Sequence, residues 1–155
     1  DAVDQAVTGF GSLNIATAKD LKSADARRKA GMVADALEKE CRDGSRFDAC
    51  DGWSRISFAL YAGCADGGCN GQERDLLIQA SITATDLALT RGIGLADPAA
   101  KEAATRLLVA QAIRLGSQNQ KLVAAKAPRV ATLGLRGCAG AAAGTADCQA
   151  LTRTR

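Results

Sequence analysis

The stretch YAGCADGGCNG, residues 61 to 71, sets Cys64 and Cys69 on either side of a four-residue, glycine-rich loop. Cysteines so placed can hold a metal, cycle as a redox pair or lock a turn. A structural zinc site takes four Cys or His ligands, usually from C-x2-C pairs, but the chain has no histidine and no C-x2-C. Thioredoxin-like redox chemistry needs C-x-x-C at a helix N-terminus after a strand, and here four residues intervene. Asp66, Asn70 and Gly71 fall at positions 1, 5 and 6 of an EF-hand-like loop, yet Gly68 and Leu77 stand where further calcium ligands belong. The remaining reading is a disulfide staple, with glycines supplying the tight backbone.

Catalytic chemistry is equally narrowed. Without histidine, Ser-His and Cys-His mechanisms and His-ligated metal hydrolases are excluded, and no Ser-x-x-Lys occurs. A hydrolase needing only two carboxylates survives, with Glu73 and Asp75 or Asp51 as candidates. Glu73, however, sits at an expected helix N-terminus, where the dipole favours the anion over a general acid. GIGLAD, at residues 92 to 97, imitates a dinucleotide fingerprint but lacks its third glycine and preceding strand, so it reads as a turn. No catalytic residue, metal or cofactor is assigned.

The elements that must position these residues all have helical periodicity. A short helix is expected over Val3, Val7 and Phe10. A long one starts from the capping-box variant Thr17 to Asp20 and carries Leu21, Ala24, Val33 and Leu37 as far as Cys41. The next, about residues 51 to 63, places Trp53, Ile56 and Leu60 along one stripe, and residues 73 to 91 form a helix apolar on two faces, hence central. Asp97 and Pro98 start another helix, expected to stop at Gly116 and Ser117. A further one begins near Asn119 and is interrupted or restarted by Pro128. From about residue 137 the chain reads as loop. The fold class is therefore all-α: a disulfide-stapled helical bundle or short helical-hairpin array of six or seven helices with no sheet.

Each cysteine pair brackets a turn: Cys41 and Cys50, Cys64 and Cys69, Cys138 and Cys148. Six cysteines allow 15 connectivities, and this placement favours the local set. Such staples offset a thin core, since 47% of residues are apolar but only 3% aromatic. Disulfides imply an oxidising compartment. A first residue, Asp1, that is not methionine is expected of a trimmed product, such as one that has lost a signal peptide. The absence of any Asn-x-Ser/Thr site is compatible with a bacterial periplasm. The localisation expected is periplasmic or secreted. At 155 residues a single domain over 1–155 is expected. No apolar run is long enough for a membrane span, and a net charge of +3 does not imply a nucleic-acid partner.

The stretch ATDLALTRGIGLADPAAKEAATRLLVAQAIRLG, residues 84 to 116, resembles one helical hairpin of the tetratricopeptide type, with Ala88, Ala100 and Ala104 where paired helices meet. The turn between Cys41 and Cys50 looks like the stapled hairpins of cysteine-rich relatives of that class. The resemblance covers about a fifth of the chain and implies a helical scaffold that binds protein or peptide, though no family binding residue maps onto these positions.

The expected function is that of a non-catalytic exported protein-binding module, such as a secretion accessory, a chaperone or a toxin-immunity protein. The alternatives are a helical carrier of an apolar small ligand and a carboxylate-dependent cell-wall hydrolase. Four of five aromatic residues, Phe47, Trp53, Phe58 and Tyr61, cluster within 15 positions. Phe58 and Tyr61 lie round the helix from the Trp53 stripe. They either pack on a second helix or form an exposed binding face rimmed by Arg55 and Arg74.

Overall fold

Side-chain caps open four of the six helices. The Ala26 N–H donates to Ser23 Oγ at 3.0 Å, opening α1 (Ala24–Gly44). The Glu73 N–H donates to Asn70 Oδ1 at 2.8 Å, opening α3 (Gly71–Ile93). Asp97 accepts from the Ala100 N–H at 3.0 Å, with Pro98 at the first helical position of α4 (Pro98–Lys126). Each cap satisfies a donor that the first helical turn leaves unpaired. With α2 (Phe47–Gly63), α5 (Pro128–Cys138) and α6 (Ala146–Arg153), the computed structural model has six helices and no strand among the residues it describes, which are 21, 23–44, 46–64, 69–140 and 144–153. The expected helix over Val3 to Phe10 and the cap at Thr17 to Asp20 lie outside these residues, as do Asp66 and Gly68 of the calcium-like loop.

The cysteines pair locally, Cys41 with Cys50, Cys64 with Cys69 and Cys138 with Cys148, at Cα separations of 4.7, 5.2 and 5.4 Å. No cysteine is free. The helices cluster into two compact units, Asp1–Ala84 and Thr85–Arg155, the boundary falling inside α3.

In the first unit α1 packs on α2. The buried stripe of α1 is Ala30, Ala34, Leu37 and Cys41, with Ala24 exposed and Val33 half-buried. The small residues decide the face, because they let α2 approach. Trp53, Ile56 and Leu60 of α2 are buried as expected. Arg27 of α1 reaches the C-terminal end of α2, donating to Leu60 O at 3.2 Å and to Leu21 O at 3.3 Å, where a cation meets the negative end of the helix dipole. Gly63 makes the room: a Cβ there would lie 2.9 Å from Arg27 Nη1.

In the second unit α4 packs on α5 and α6. It does not stop at Gly116 and Ser117 but continues to Lys126 across a kink at Asn119, whose φ of −164° and ψ of 86° are extended. The expected restart is present inside it, since Asn119 Oδ1 accepts from the Leu122 N–H at 3.2 Å as an N-cap does. Ala127 breaks the chain again, and Pro128, lacking an N–H to lose, heads α5. Gly134 allows α4 and α5 to close, for a Cβ there would sit 3.1 Å from the Ala112 carbonyl oxygen. The loop expected from about residue 137 is corrected by α5 running through Cys138 and by α6, which starts after Thr145 accepts from the Cys148 N–H at 3.3 Å. Leu151 of α6 is fully buried, and that burial holds a helix too short to persist alone.

Candidate functional site

The residues of the aromatic face read from the sequence lie together, with Tyr61 buried, Phe58 half-buried and Arg55 and Arg74 exposed. Phe58 and Tyr61 stand with ring centroids 5.7 Å apart. Tyr61 is only 7% exposed and Phe58 is half-buried, so the condition of an exposed aromatic patch fails at Tyr61. Arg74 lies 4.6 Å over the Tyr61 ring and donates to its hydroxyl at 3.1 Å, spending its cation within the chain. Arg55 pairs with Asp51 at 3.0 Å. Of these contacts Arg74 with Tyr61 links α2 to α3, whereas Phe58 with Tyr61 and Arg55 with Asp51 lie within α2.

The carboxylates separate as well. Glu73 and Asp75 are exposed on the first turns of α3. Asp51 is buried, and desolvation raises its pKa above the ordinary 3.8, with Arg55 opposing the rise. Among the described residues no group of three or more Cys, Asp or Glu side chains could hold a metal.

Two open grooves lie along α5 in the second unit. The first, of about 410 Å³, is lined by Leu89 and Ile93 of α3 and by Pro128, Arg129, Leu133 and Arg136 of α5. The second, of about 340 Å³, runs on the other side between α5 and the part of α4 beyond the kink, with Gln120, Lys121, Ala124 and Leu135 in its wall. Pro128 and Thr132 line both. One helical turn apart, they form an exposed ridge between the grooves.

Positioning depends on the breaks described above. The Asn119 kink and the Ala127 corner bring Gln120 to α5, where its buried amide donates to Ala131 O at 3.3 Å. At the ridge, Arg129 pairs with Asp86 at 3.0 Å and donates to Thr90 Oγ1 at 2.8 Å, tying the start of α5 to the last turns of α3. Ile93, at the end of α3, is 55% exposed. Periodicity missed this site because its lining combines most of α5 with the C-terminal turns of α3 and α4. The available signal was Ala127-Pro128 beside the apolar spacing Val130, Leu133, Leu135.

Charge divides the same way as the helices. The second unit carries ten Lys or Arg against four Asp or Glu, a formal +6, whereas the first carries ten against thirteen, a formal −3. All five aromatic residues belong to the first. No family model, no curated protein and no solved structure matches this chain.

Proposed function

We propose that this chain is a non-catalytic exported protein-binding module that holds its partner along α5, in the role of a secretion accessory, chaperone or toxin-immunity protein. The observation that carries the reading is the pair of open, mostly apolar grooves sharing the Pro128–Thr132 ridge, a shape that suits side chains from a polypeptide laid across it. A carrier of a small apolar ligand calls for a cavity that buries most of its guest, and these grooves are open. A carboxylate pair for hydrolysis must face across a cleft, while Glu73 and Asp75 are exposed on one helix end and Asp51 is ion-paired. Three disulfides support an oxidising compartment, periplasmic or extracellular. No helix among the described residues is long and apolar enough to cross a membrane. The tetratricopeptide likeness belongs to the same proposal, since helical-repeat scaffolds bind peptides.

The test is site-specific photocrosslinking in the producing cell. A crosslinker at Thr132 should yield one identified protein adduct that Ile93→Ser abolishes, and a crosslinker at exposed Arg106 should not yield it. Equal adducts at both positions, or none at Thr132, would overturn the reading.

A further inference from the structure

The polarity of the two grooves is specific. Every charged residue in their walls is a cation: Arg129, Arg136 and Lys121. Arg129 is neutralised by Asp86, but Arg136 and Lys121 are exposed and make no ion pair with any described residue. They flank the ridge, one on each side, over walls supplied by Leu89, Ile93, Leu133 and Leu135. The surrounding unit adds to the field with its formal +6. Resting on the protein-binding reading above, we propose that the occupant of these grooves is an acidic amphipathic polypeptide segment, its apolar side chains in the grooves and its carboxylates on Arg136 and Lys121.

Two features select this chemistry over other anions. Single-stranded nucleic acid is held by cations together with aromatic platforms on which bases stack, and the second unit contains no aromatic residue. An anionic membrane surface rewards a continuous basic face with apolar residues standing proud of it. Here Leu89, Leu133 and Leu135 are only half-exposed and are divided between two grooves by a Pro–Thr ridge, and among the lining's large apolar residues Ile93 alone is mostly exposed. Charges at an apolar groove's rim act mainly on encounter rate and partner choice, so an acidic partner is steered to this unit and away from the first, whose formal charge is −3.

The experiment uses the full, disulfide-bonded chain and a synthetic helical peptide of about 14 residues, with leucines at i, i+3 and i+4 spacing and glutamates elsewhere. A second peptide replaces glutamate by lysine and a third replaces leucine by serine. Binding is followed by fluorescence anisotropy and mapped by backbone amide shifts. The acidic, leucine-bearing peptide should bind best and shift Ile93, Lys121, Thr132 and Arg136. Charge reversal in K121E/R136E should weaken it by about tenfold or more with the melting temperature unchanged, and added salt should weaken it in step. Equal binding of the lysine peptide, or shifts confined to the first unit, would overturn the proposal. So would tighter binding of a single-stranded oligonucleotide or of phosphatidylglycerol vesicles, or self-association that K121E/R136E removes. The two readings fail separately. A cellular adduct at Thr132 that Ile93→Ser abolishes but K121E/R136E leaves intact would keep the protein-binding reading and discard the acidic partner. An adduct at Thr132 that neither Ile93→Ser nor K121E/R136E removes would discard both.

Discussion

The two units solve one shortage, too few large side chains, by different means. The first contains all five aromatic residues and sets arginines over two of them, Arg42 lying 5.0 Å over Trp53 and Arg74 4.6 Å over Tyr61. Both bury polar groups: in the first Ser81 Oγ donates to Ser54 O at 2.9 Å and Asp51 is buried beside Arg55, and in the second Gln111 and Gln120 are buried. The second has no ring and gains contact where side chains are absent, so that α5 lies against α4 at Gly134 and Gly137. Stabilisation in the first unit therefore resides in a few side chains, and in the second in backbone proximity.

The largest expected effect breaks the first strategy. Tyr61→Ala removes a buried ring and leaves Arg74 without its cover, so chemical denaturation should show a loss of about 3 to 5 kcal/mol, against the near-unchanged stability that an exposed anchor would give. Phe58→Ala, at a half-buried position, should cost less. Breaking the second strategy takes an added side chain. Gly134→Val meets the Ala112 backbone, which a rotamer change does not move, and should cost about 3 kcal/mol through overpacking, read from the shift in the urea midpoint at constant slope. If Gly134→Val is silent, α4 and α5 are not held at the distance described.

A smaller effect sharpens the comparison through pH. Because burial raises the Asp51 pKa in the folded chain, the native state holds that proton more tightly than the unfolded state. Its stabilising contribution is complete below the unfolded value, near 3.8, and is lost as pH rises through the folded one. Asp51→Asn removes that loss. The stability of the variant relative to wild type should therefore increase between roughly pH 3 and pH 7, measured by urea melts across the range. A flat difference would mean that Arg55 balances the desolvation, and an opposite slope that it outweighs it. The smallest effect has the opposite sign from Gly134. Gly31 lies inside α1 with nothing within 4 Å of an added Cβ, so Gly31→Ala should raise stability by about 0.5 to 1 kcal/mol. A loss would show that this face of α1 is covered.

Much of this fold is legible in the residue order because its determinants are local. Asp97-Pro98 starts α4, Asn119 restarts it within one turn of where the pattern breaks, and Trp53, Ile56 and Leu60 mark the inner face of α2. The disulfide set was readable for the same reason, as each pair spans a single turn of chain. Less legible were the faces chosen by small residues. Hydropathy favours Val33 over Ala34 and Leu107 over Ala104, yet Ala34 and Ala104 are buried while Val33 is half-buried and Leu107 is 45% exposed.

What the sequence by itself determined is thus the helical class, the chemistry excluded by six cysteines without histidine, the caps and the local staples, all set by residues within about ten positions of one another. Tertiary structure alone decided that Tyr61 turns inward beneath Arg74, that α6 exists because Leu151 finds cover, and that residues of α3 and α4 line grooves on either side of the Pro128–Thr132 ridge of α5. The physical reason is that burial is a property of pairs of helices. Whether a stripe faces core or solvent depends on how closely a neighbour approaches, and here that distance is set by glycines and alanines, whose own hydropathy carries almost no signal.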